Sequence, residues 1–190
     1  MSEQAFNDSV RFVTPGQTVG PFFGFGLPYP GDSELVAPFS PGAVLLTGAV
    51  YDGNGDPVPD SLLEIWQADT DGSIPDARGS LHRDGYTFTG FGRAAVDQDG
   101  VYRFWTREPG AAEGRARFIS LIVYARGLLD KLHTRIYLPG DDAALESDPL
   151  LSQLSAQERA TLVARRADDG SLRHDIHLQG ERETVFIDFT

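Results

Sequence analysis

The sequence predicts an all-β fold, a β-sandwich of mixed short strands with one helix and long loops. Three observations point there. Apolar runs of β-formers recur along the chain: AVLLTGAVY at Ala43–Tyr51, FISLIVY at Phe118–Tyr124 and LHTRIYL at Leu132–Leu138. The 21 Gly and 12 Pro fall between these runs rather than in tracts, so they mark turns and not disorder. Only one segment carries a full helix-start signal, the capping box Ser155-Ala-Gln-Glu158. A chain of 190 residues suits one such domain, which buries ~70% of its unfolded surface.

In order along the chain, residues 1–13 are polar and read as a flexible N-terminus, followed by a single β-sandwich domain over 14–190. Its first part, residues 14–31, is an arm: Thr14-Pro15-Gly16-Gln17-Thr18-Val19-Gly20-Pro21-Phe22-Phe23, then Gly24, Phe25 and Gly26, with Pro28, Pro30 and Gly31 beyond. X-Pro steps extend the backbone and glycines permit close approach to another backbone. Phe22, Phe23 and Phe25 need a surface to lie on, either their own domain or a partner subunit. Ala43–Tyr51 is a strand ended by Asp52-Gly53-Asn54-Gly55-Asp56-Pro57, which holds two hairpin-type dipeptides. Ser61–Gln67 returns as a strand with Leu63, Ile65 and Gln67 on one face and Leu62, Glu64 and Trp66 on the other. Residues 73–92 form a long polar connection of the kind that is usually functional or disordered.

Arg93–Val96 and Val101–Thr106 flank the turn Asp97–Gly100 and read as a hairpin. Phe118–Tyr124 has no charge in seven residues, as in a strand buried on both faces or at the centre of a sandwich; Leu132–Leu138 alternates and has a polar face with His133, Arg135 and Tyr137. Between them Arg126 and Gly127 stand at the exit of the first strand. That guanidinium is either tied to a carboxylate of its own chain or presented to something else. The helix is expected over Ala156–Arg166, with Arg165 and Arg166 at its negative end, and Ser171–Gln179 and Thr184–Phe189 close the fold as strands.

Composition narrows the function. Sixteen basic against 28 acidic residues give a net charge of −12, which argues against a nucleic-acid partner and means an anion site needs local positive charge. With no Cys, thiolate and disulfide chemistry are excluded. The first residues lack a basic n-region and an apolar h-region, and no apolar run approaches ~18 residues, so a cytoplasmic protein without membrane contact is expected. Nucleophile elbows and phosphate loops are missing. Of the four histidines, His82 and His133 stand alone. His174 and His177 lie three apart on one strand, hence on opposite faces, and read as half-exposed strand residues rather than a metal pair. The residues alone describe a β-sandwich without a complete active site.

Several ordered motifs nevertheless resemble the intradiol ring-cleavage dioxygenases. They are Thr14–Phe22, Gly48–Gly55, Leu63–Asp69, Phe91-Gly92-Arg93, Tyr124–Gly127, Leu132–Tyr137 and Gln179-Gly180-Glu181 with Glu183–Phe186, spanning nearly the whole chain. Members of that family hold non-haem Fe(III) with two tyrosinates and two histidines in an H-x-H pair. At the corresponding place this chain has Phe118-Ile119-Ser120; Gly110–Arg117 holds no Tyr, and Tyr86 is only a loose candidate. Where a relative tends to carry an aromatic two residues after Gly72, this chain has Ile74. The resemblance therefore implies a non-ligating alpha-type subunit, with Fe(III) bound by a homologous beta subunit. It implies protocatechuate and O2 as substrates, cleaved to 3-carboxy-cis,cis-muconate in aromatic compound degradation. It implies a pocket at the subunit interface touched by Thr18, Gly20, Pro21 and Phe22, with Arg126 holding the substrate carboxylate. No catalytic or metal-ligating residue is assigned to this chain. The competing expectation is a non-enzymatic, transthyretin-like binding module, in which the arm's phenylalanines would have no partner to bury them.

Overall fold

A computed structural model describes residues 16–77, 83–112 and 114–189. Among the described residues, nine strands form two sheets: β1 (Ala43–Tyr51), β2 (Leu62–Gln67), β3 (Phe91–Ala95), β4 (Val101–Arg107), β5 (Phe118–Tyr124), β6 (Leu132–Tyr137), β7 (Arg165–Arg166), β8 (Leu172–Arg173) and β9 (Ile176–His177). The first sheet runs β4-β1-β8-β7, with β9 also beside β1; the second runs β3-β2-β5-β6 and is antiparallel throughout. β8 and β9 both run parallel to β1. Their backbone passes so close that a Cβ on Gly48, in mid-β1, would overlap the His174 carbonyl, which explains a glycine inside a strand.

The core lies between the sheets. Leu46, Val50, Tyr102, Phe104, Leu172 and Ile176 of the first sheet meet Leu63, Ile65, Ala94, Ile119, Leu121, Val123 and Ile136 of the second. This is the sandwich solution, each sheet hiding one face on the other. A smaller cluster under the second sheet joins Ala116, Tyr137, Leu151 and Leu162. Among the described residues, no helix is long and apolar enough to cross a membrane.

The hairpin and helix expectations need correction. The segments around Asp52–Pro57 and Asp97–Gly100 do turn tightly, closed by Asp52 N–H to Asp56 O at 2.9 Å and Asp97 N–H to Val101 O at 3.0 Å. Yet β2 and β4 cross to the sheet opposite the strand before them, so these are sandwich corners and not hairpins. A turn signal reports local backbone reversal; which sheet receives the next strand is decided by the core. Of the two readings of β5, the structure shows the second, an inner strand of the sandwich with one face sealed. Ile119, Leu121 and Val123 are sealed, while Phe118, Ser120, Ile122 and Tyr124 on the other face are half-buried.

The main helix is also shorter than expected. α1 (Phe23–Gly26) and α2 (Asp142–Ser147) are single turns, and α3 covers only Ala156–Ala160. The capping box forms, with Ser155 Oγ accepting from Glu158 N–H and Glu158 Oε2 from Ser155 N–H. After Thr161 the chain leaves the helix because Leu162–Ala164 lie beside β6, exchanging Tyr137 N–H to Leu162 O (2.8 Å) and Ala164 N–H to Tyr137 O (2.9 Å). Arg165 and Arg166 then become β7. Tertiary pairing overrides helix propensity here.

Candidate functional site

The arm is built around one turn of helix. Phe25 N–H and Gly26 N–H donate to Phe22 O at 3.0 and 2.9 Å, and Leu27 N–H donates to Phe23 O at 3.1 Å. Gly20 enters this turn with φ 69°, a left-handed conformation that costs an ordinary residue ~1 kcal/mol or more. Phe23 is buried with its ring 6.0 Å from that of Tyr124, at the end of β5. Phe22 and Phe25 are 78% and 84% exposed. So only one of the three phenylalanines finds its surface on this chain.

Val19 N–H donates to Leu128 O at 2.8 Å, fastening the arm to the turn between β5 and β6. That turn carries Arg126, followed by Gly127 at φ 96°. The structure thus brings Thr18, Gly20, Pro21 and Phe22 to the same edge as Arg126. Thr18, Pro21 and Phe22 are exposed there, and Gly20 half-buried. The Arg126 guanidinium pairs through Nε with Asp60 Oδ2 at 2.8 Å, its side chain 66% exposed. With two thirds of its side chain exposed, the guanidinium remains open to solvent. Asp60 orients this arginine without enclosing it. The pair with Asp60 is the first of the two alternatives, a tie to a carboxylate of its own chain. Thr14, Pro15 and His82 lie outside the described residues.

The place where the resemblance puts the iron histidines is filled differently. The Arg135 guanidinium lies 4.3 Å from the centre of the Phe118 ring, and its Nη1 donates to the Tyr137 hydroxyl at 3.1 Å. Tyr137 in turn donates to Asp148 Oδ1 at 2.8 Å; burial, with that carboxylate, pushes its pKa up to about 12. A phenyl ring, a serine hydroxyl and a fixed positive charge do not suit Fe(III), which takes anionic oxygen and imidazole donors. Tyr86 stands 93% exposed at the tip of its loop. Among the described residues, no group of three or more His, Asp or Glu is placed to hold a metal ion.

Two features escaped the sequence reading. His174 is buried, not half-exposed: only 3% remains accessible, its Nε2 lies 2.9 Å from Thr161 O, and burial pushes its pKa down to about 4. The β-pairing breaks at His174-Asp175, so His174 and His177 line one cleft of about 350 Å³ despite their odd spacing. The other feature is an ion pair on the outer face of the second sheet. Arg93 Nε donates to Glu64 Oε1 at 2.9 Å, with both side chains nearly buried. The signal was present, since opposite charges occupy Glu64 and Arg93, but pairing them needs the register that sets these residues directly opposite.

Comparison with known proteins gives this edge its context. A family model described as Dioxygenase matches residues 35–180. The chain belongs to that family, whose ring-cleaving members use non-haem Fe(III). It is 41% identical to the protocatechuate 3,4-dioxygenase alpha chain of Burkholderia cepacia, over 92% of this chain and 96% of that one. It is also 31% identical to the beta chain of the same organism's enzyme, over 64% of this chain and 55% of that one. Among solved structures it resembles the dioxygenase domain of a carbohydrate-binding fusion protein from Streptomyces sp. SirexAA-E, with TM-score 0.54 and 27% identity over 86% of this chain and 95% of that one.

Proposed function

We propose that this chain is the alpha-type subunit of a heteromeric intradiol dioxygenase. The enzyme cleaves protocatechuate with O2 to 3-carboxy-cis,cis-muconate, and Fe(III) resides in a homologous beta subunit. The observation that carries the reading is the edge where an arm with two exposed phenylalanines is fastened beside an exposed guanidinium, with no cluster of metal-binding side chains among the described residues. The alternative of a free-standing binding module leaves Phe22 and Phe25 without a purpose.

The ring-opening chemistry is then the partner's. This chain contributes charge, shape and dryness. The Nη fork of Arg126 matches the substrate carboxylate, and a protein of net charge −12 needs such a local cation to hold an anion. Asp60 holds Nε and so limits the rotamers lost on binding. Phe22 and the Gly20-Pro21 backbone wall the planar ring and exclude water, which strengthens the arginine–carboxylate contact.

The test is metal content and activity of the chain purified alone and co-expressed with its homologous partner. The expected result is negligible iron and no turnover alone, and an iron-bearing, protocatechuate-cleaving complex together. Stoichiometric iron in the isolated chain would overturn the proposal.

A further inference from the structure

Two ties flank the helical turn of the arm. At one end Val19 N–H donates to Leu128 O; at the other the Leu27 carbonyl accepts from Arg93 Nη1. Between them Phe23 is the one buried side chain. The second tie belongs to a small network. Arg93 grips Glu64 through Nε and Nη2, Glu64 Oε2 lies 3.5 Å from the Tyr124 hydroxyl, and Tyr124 is the ring on which Phe23 packs. The guanidinium also sits 5.7 Å from the Tyr29 ring centre, just beyond the arm's turn. Side-chain exposure is 12% for Arg93 and 13% for Glu64, so this pair is shielded from water in a way that the Arg126–Asp60 pair is not.

We infer that Arg93 is a positioning residue for the substrate pocket: with Glu64 it sets where the Phe23–Gly26 turn stands, and hence where Thr18–Phe22 enter the pocket. The inference rests on the proposed role of the arm. Three nitrogens of one guanidinium hold a carboxylate and a backbone carbonyl in a fixed relation, which the single ammonium of a lysine cannot reproduce. A shift of about 1 Å in a group that shapes a site costs up to ~100-fold in efficiency, so a remote tie of this kind has leverage.

The test uses the assembled alpha–beta complex and steady-state kinetics with protocatechuate. Arg93→Lys is expected to raise KM about 10-fold with kcat within about 2-fold, the signature of lost ground-state binding. Deleting residues 1–22 from this chain should also raise KM, and in that background Arg93→Lys should add nothing. If the deletion leaves KM unchanged, the arm does not line the pocket and the functional reading fails. If the deletion raises KM but Arg93→Lys in the full chain does not, the positioning inference alone is overturned. An equal effect of Arg93→Lys in both backgrounds also overturns it, because a merely structural role would persist without the arm. Should the lysine variant fail to assemble, Glu64→Gln is read by the same criteria.

Discussion

Between the sheets, Leu46, Tyr102, Phe104, Ile119 and Leu121 are sealed, none more than 1% exposed. On the arm-bearing edge Phe22, Phe25 and Leu129 are between 74% and 84% exposed. Both regions are rich in large apolar side chains, and both are ordered by backbone hydrogen bonds. The difference is what completes them. The seam is closed by this chain's own two sheets, so its burial is folding free energy. The edge keeps its apolar area in water, where ~25 cal/mol per Å² remains to be gained on association. Stability belongs to the first region; assembly and substrate binding are what we propose for the second.

The sharpest way to break this division is to cut into the seam. Leu121→Ala should cost about 4 kcal/mol, read from the denaturation midpoint of the isolated chain. A loss below about 1 kcal/mol would mean that the sheets do not depend on each other. His174 probes the same region by pH. Its folded pKa of about 4 lies below the unfolded value of 6.5, so the unfolded chain binds the extra proton. Stability is therefore whole above pH 6.5 and falls by up to about 3 kcal/mol as pH drops towards 4. His174→Gln should flatten that part of the pH profile; an unchanged profile would remove His174 as its source.

The edge should answer in the opposite sense. Arg126→Ala should leave the stability of the isolated chain within about 1 kcal/mol, since the pair with Asp60 is solvent-exposed. In the complex it should raise KM for protocatechuate about 10-fold or more, as loss of a charge-assisted bond does. An unchanged KM would make the arginine purely structural. The smallest effect on folding is expected from Phe25→Ala, within about 0.5 kcal/mol for the chain alone, because the ring touches little. The same change should weaken association with the partner, measured by sedimentation of mixed subunits. If it instead destabilises the isolated chain by several kcal/mol, the edge is not a waiting surface.

The family was legible without coordinates. The motif order along Thr14–Phe189 pointed to the family, and the arm and Arg126 were singled out as contact positions. What could not be read was their mutual arrangement. Val19 and Leu128 are more than a hundred residues apart, and their single backbone bond places the arm beside the arginine. The Glu64–Arg93 pair was missed although both residues stood in quoted motifs, because only strand register sets them opposite each other. His174 was misjudged for a related reason. Period-two alternation assumes a continuous strand, and here the pairing breaks between β8 and β9.

Residue chemistry by itself determined the all-β class, the turn positions and the Ser155–Glu158 cap. These are local properties, settled by propensity, spacing and the identity of a donor atom. The tertiary structure alone decided which sheet each strand joined, how far α3 ran and which guanidinium was enclosed. Those outcomes depend on contacts between distant segments, and burial separates the committed arginine at position 93 from the available one at 126.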